Sequence, residues 1–146
     1  MHKALLLCLI GIVLTACSGT GASNAPNVKV DPNVPANKIL NINDLQRDFL
    51  VSNEDAKAKY DGKEFVVLGK AGPPLGELFL RSDDGNYIYY TVKGNEAGGL
   101  VCMIPLDERS KFDALKEGET IAVKGTIHIN DTSIEMRPCT RDFGSK

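Results

Sequence analysis

The chain has 146 residues, with 17 basic and 19 acidic side chains, a net charge of −2 and a pI of about 5.7. Charge this balanced offers no basic surface to a polyanion, which argues against nucleic acid as a partner. An apolar content of 42% without tryptophan supports one modest core but not two, and it offers little for a broad stacking platform.

The N-terminus opens with Lys3, an apolar block over residues 4–14, and the tetrapeptide Leu14-Thr15-Ala16-Cys17. A basic start, an apolar stretch and a small-residue cleavage site make a secretory signal. The block is about half the roughly 20 residues that a membrane-spanning helix needs. The form L-T-A-C resembles a bacterial lipobox. That resemblance implies removal of residues 1–16, acylation of Cys17 (diacylglycerol and a palmitate-like chain) and a lipid anchor outside the cytoplasm, facing the periplasm or the exterior. Ser18 stands where enteric-type sorting uses aspartate for inner-membrane retention, which favours the outer membrane.

Residues 17–38 are rich in Ser, Gly, Asn and Pro and lack an apolar period, so they are expected to form a flexible tether. The folded domain is expected over 39–146. Asn43 or Asp44 is placed to cap a short helix carrying Leu45 and Phe49, and Ser52 with Asp55 opens a second one that carries Ala56 and Tyr60. Strand-like runs follow at 64–70 (E-F-V-V-L-G-K), at 77–81, and at 87–93 (Y-I-Y-Y-T-V-K) after the turn Asp83-Asp84-Gly85-Asn86. Residues 100–104 read as a buried strand stopped by Pro105. A helix is predicted over 107–116 with Phe112 and Leu115 on its apolar stripe. Residues 120–129 alternate, with Ile121, Val123, Ile127 and Ile129 on one face. Residues 133–137 form the last strand, and 140–146 a polar tail.

Helix, about four strand segments, helix and two strands give an all-β domain with short helices. The order fits an OB-fold, a five-stranded Greek-key barrel with a helix between strands 3 and 4, preceded here by an N-terminal helical segment. Four cysteines are present. Cys8 leaves with the signal and Cys17 takes the lipid. Cys102 and Cys139 remain as a pair in an oxidising compartment, which predicts a disulfide. Their wide spacing, without C-x-x-C or an adjacent histidine, does not suit a metal or redox pair.

Asn53, Ala56, Tyr60, Gly62, Lys63, Gly69, Val101-Cys102 and the string K-E-G-E-x-I-x-V-K-G over 116–125, closed by Cys139, occur in an order similar to that of the tRNA-anti-like group of OB-fold lipoproteins. The resemblance covers residues 45–139. It implies an OB barrel behind a lipid anchor, with both cysteines in family-like places, and it implies little about activity. The insert around Pro73-Pro74 departs from the simplest pattern and leaves the geometry of 72–87 open.

In OB-folds the face of strands 2 and 3 binds ligands. Tyr87 and Tyr89 share one strand face. With Lys93 and with Arg81 from the neighbouring run they form a candidate ligand face of stacking groups and cations; the alternative is that the tyrosines pack the barrel or cover its edge. His128 lies on the polar side of its strand, and Asp83, Asp84 and Asp107 occupy turn and cap positions. No nucleophile–base set or calcium-loop order emerges. The expected function is therefore a non-catalytic binding module with no cofactor and no metal, contacting an envelope protein, a glycan or a small ligand. The alternative is a structural or stress-related envelope lipoprotein without a small ligand.

Overall fold

A computed structural model describes residues 28–76 and 80–142. The signal segment, the lipobox and Cys17 lie outside the described residues, as do Glu77, Leu78 and Phe79 of the expected 77–81 run.

The elements are β1 (Ile39–Asn41), α1 (Ile42–Val51), α2 (Asn53–Tyr60), β2 (Glu64–Ala71), β3 (Tyr87–Lys93), β4 (Leu100–Pro105), β5 (Thr120–Ile129) and β6 (Ile134–Arg141), with 3-10 turns at Ala36–Lys38 and Leu106–Lys111. The sheet order is β1-β2-β3-β4-β6-β5, and β5 also pairs with β2. Strands β2 to β6 therefore close on themselves as an OB barrel, and β1 adds a parallel flank to β2. Closure removes open edges. It also puts one face of each strand inside, which is why Ile88, Val92, Leu100, Ile104, Val123, Ile127 and Met136 are buried.

Both helices sit on sequence signals for their caps. Ser52 Oγ accepts from Asp55 N–H at the start of α2, as its position suggested. At α1 the cap is Asn41, not Asn43 or Asp44: Asn41 Oδ1 accepts from Asn43 N–H. The cap stands two or three residues earlier than expected, and Ile42, the first helical residue, is in the core. Asn43 Oδ1 instead accepts from Asn95 N–H, tying α1 to the β3–β4 loop.

Three further expectations are corrected. The predicted helix at 107–116 is a 3-10 turn at Leu106–Lys111 that ends when Phe112 N–H donates to Arg109 C=O. This tighter winding turns Phe112 inward, where its ring meets Tyr90 edge-on at 5.5 Å and stoppers one end of the barrel. The last strand continues past 137 to Arg141, so Thr140 and Arg141 belong to the barrel. Finally, residues 28–38 include structure packed on the barrel. Asp31 N–H donates to Asp142 Oδ2 at 3.3 Å, and the Lys38 ammonium lies 4.9 Å from the centre of the Phe65 ring.

Candidate functional site

The disulfide predicted from cysteine count is present: Cys102 of β4 and Cys139 of β6 are bonded, with Cα atoms 5.3 Å apart, and both are fully buried. These strands run parallel, and their register ends at Cys102 opposite Met136. The bond fastens the β4–β6 seam where the ladder stops.

The outer face of β3 and β4 follows from strand alternation. Ile88, Tyr90 and Val92 point inward and are buried. Tyr90 O–H donates to Gly72 C=O at 3.2 Å, and burial pushes its phenol above the usual range. Tyr87, Tyr89, Thr91 and Lys93 therefore share the outer face, and Tyr89 is 38% exposed. Tyr87 stands across from Pro105, and Tyr89 across from the buried Met103.

Of the two basic residues expected beside them, one shares this face and one does not. Lys93 is engaged by Glu117 at 2.7 Å. Arg81 bridges to Ile88, and cross-strand partners share a side of the sheet. Arg81 therefore lies on the side of Ile88, opposite to Tyr87 and Tyr89. The pleat thus joins the two tyrosines and Lys93 but separates Arg81. Leu80, whose C=O accepts from Tyr89 N–H at 3.0 Å, is the neighbour on the tyrosine side and is largely exposed.

Sequence reading missed the feature into which this face leads. Past Thr91 the outer surface drops into a groove of about 370 Å³. Gln46, Phe49 and Leu50 of α1 form one wall. Thr91 and Val101, paired across β3 and β4, form the floor. Gly98 and Gly99 from the β3–β4 loop, with Thr132 and Ser133 from the β5–β6 turn, complete the rim. Gln46 is 4% exposed and is the buried polar residue of the described core. Its Oε1 has no hydrogen-bond partner. Gly94 admits it: a Cβ there would overlap Gln46 Oε1. The only sequence signal was Gln46 lying one residue beyond Leu45 on an otherwise apolar helix flank.

The residues that carry the family resemblance are structural. Asn53 Nδ2 donates to Asn130 C=O at 2.9 Å, and Lys57 pairs with Asp131 at 2.8 Å, so α2 holds the β5–β6 turn. Gly62 N–H donates to Ile127 C=O. Lys63 Nζ donates to the C=O groups of Ala58 and Lys59, closing the end of α2. Tyr60 meets Phe65 edge-on at 5.7 Å and donates to Asp48 Oδ2 at 2.6 Å. Among the described residues, no cluster of three or more His, Cys, Asp or Glu is placed to hold a metal ion.

Two OBodies, each bound to hen egg-white lysozyme, are similar solved structures: one is 20% identical with a TM-score of 0.39, covering 59% of this chain and 84% of its own. The other is 19% identical with a TM-score of 0.38, covering 59% and 82%. No curated protein matches the chain. The tRNA_anti-like family model matches residues 1–140. That span takes in the barrel as far as Thr140, its helices and both bonded cysteines, and the chain therefore belongs to the tRNA_anti-like family.

Proposed function

We propose that this protein is a non-catalytic binding module held by acylated Cys17 at the outer membrane, where it contacts an envelope component through the outer face of β3 and β4. The observation that carries the reading is the outward row of half-buried Tyr87 and exposed Tyr89, which continues through Thr91 to a groove lined by α1. An OB barrel uses this face for ligands, and an exposed aromatic beside a concave, partly apolar surface suits recognition. The Cys102–Cys139 bond supports an oxidising compartment, and the L-T-A-C motif supports the anchor. The domain fold belongs to a family of OB-type binding domains, which favours binding over catalysis.

The test replaces Tyr89 with a photoreactive phenylalanine in the full chain and irradiates intact cells. A discrete crosslinked adduct in the membrane fraction, lost when Tyr87→Ala is added, is the expected result. Absence of any adduct overturns the reading.

A further inference from the structure

We infer that residues 28–38 form a strap that sets which pole of the barrel faces the bilayer. The pole at the start of β5 and the end of β6 faces the membrane, and the pole built by the β5–β6 turn and the end of α1 stands away from it. This rests on the Cys17 anchor of the proposed function and adds the direction from which a partner arrives. The first observation is where the strap begins. Val28 and Lys29 share a surface cleft with Glu119, Thr120, Arg141 and Asp142. Thr120 opens β5 and Arg141 closes β6. Asp31 N–H donates to Asp142 Oδ2 at 3.3 Å and fixes the strap at that corner. Further along, the Lys38 ammonium lies 4.9 Å from the centre of the Phe65 ring, on β2.

The second observation is what lies at the other end. The ten residues of β5 put about 30 Å between Thr120 and the β5–β6 turn. At that turn, Thr132 and Ser133 share the groove with Leu50 of α1. Leu50 is 66% exposed and Val51 81%. Asn53 and Lys57 fasten α2 to the same turn, so the corner between the two helices belongs to this far pole.

Chain length connects the two. From Cys17 to Val28 a fully extended chain spans at most about 40 Å, and from Cys17 to Ile39 about 80 Å. Docking of the strap therefore halves the reach. To lay the β5–β6 turn against the bilayer, the shorter connection would have to climb the roughly 30 Å length of β5. It would then be almost fully extended, and the conformational freedom lost opposes that orientation. With the strap released the longer connection carries no such restriction. Leu50 and Val51 accordingly face away from lipid, and a partner held beside Thr132 and Ser133 comes from the side opposite to the anchoring bilayer.

The experiment takes the full chain purified from membranes into nanodiscs that carry a gadolinium-chelate headgroup lipid, and reads amide relaxation by NMR. Enhancement at Thr120 and Asp142 is expected to exceed that at Asp131 and Thr132 at least about fivefold, because the effect falls with the sixth power of distance and the poles lie about 30 Å apart. Lys38→Ala with Asp142→Ala removes both strap contacts and is expected to cut that ratio at least about twofold by lengthening the free connection, with the β3 and β4 signals unshifted. Equal enhancement at the two poles overturns the inference, and so does stronger enhancement at Leu50 and Val51, which would put them in lipid. A ratio that the double variant leaves unchanged also overturns it, since the strap would not then set the orientation. Mass spectrometry of the same sample separates this from the anchor: an unacylated Cys17 removes both, whereas an acylated chain with equal enhancement removes the orientation alone. The Tyr89 crosslink tests binding independently of either.

Discussion

Cys139 reaches Cys102 because β6 carries one residue more than β5 along the same stretch. Ile127 pairs with Met136 and Gly125 with Cys139, so two steps on β5 face three on β6. Simple alternation from Ile134 and Met136 would point position 139 outward. The bulge at Arg137 and Pro138 inverts the alternation and turns Cys139 into the core. The covalent seam of the barrel depends on this irregularity.

Loss of the bond should therefore be costly. With the cysteines 37 positions apart in the chain, the chain-entropy model puts its contribution at roughly 4 kcal/mol. Paired Cys102→Ser and Cys139→Ser substitutions should lower the denaturation free energy by about that amount, measured by guanidinium titration. Thiol counting on the non-reduced, denatured mature protein should find neither cysteine free, and two reactive thiols would refute the bond.

The bulge also sets a steric demand on the strand beside it. A Cβ at Gly125 would overlap Pro138 O and press on Met136 Cγ. Overpacking of this kind typically costs about 1–3 kcal/mol, and here one obstacle is backbone. Gly125→Ala should destabilise the domain by about 3 kcal/mol, and an unchanged Tm would show that β6 can yield.

Asp48 joins the two helices through Lys59 Nζ at 2.7 Å and Tyr60 O–H at 2.6 Å. These hydrogen bonds, Lys59 first, hold its carboxyl below the ordinary value of 3.8. The folded state thus favours the charged form. Its contribution is present above the ordinary carboxylate range and is lost as pH falls through the lowered value. Asp48→Ala should cost about 1 kcal/mol at neutral pH. The variant should also lose less Tm than the parent between pH 5 and pH 2, values spanning the usual carboxylate range. Parallel Tm-against-pH curves would contradict this.

Membrane attachment gives a separate prediction. Cys17→Ala should abolish labelling by an alkyne-palmitate probe and release the protein from the membrane fraction. Labelling that persists in the variant would remove the lipobox reading without affecting the barrel.

At the candidate face, Tyr87→Ala with Tyr89→Ala should reduce recovery of a crosslinked partner by about tenfold, while stability falls by no more than about 1 kcal/mol, since these side chains lie outside the core. A larger loss of stability with unchanged recovery would make the pair packing residues.

How much was legible in the chain can be judged residue by residue. Alternation put Tyr87 and Tyr89 together on one face of their strand, because side-chain direction in a strand has a period of two and needs no partner to be read. The pairing of Cys102 with Cys139 followed from counting. The strand order of an OB barrel followed from element order and turn residues. Other features depend on contacts distant in sequence. The extension of β6 was hidden because a bulge breaks the period. The position of Arg81 required the register against Ile88. The helix expected at 107–116 gave way to a 3-10 turn because Phe112 had to reach Tyr90. The groove was out of reach altogether, since its walls come from α1, a loop near Gly98 and a turn near Ser133. Local pattern determined which residues are apolar and periodic; only the packing of α1 on the barrel decided that Gln46 is buried with its Oε1 unpaired.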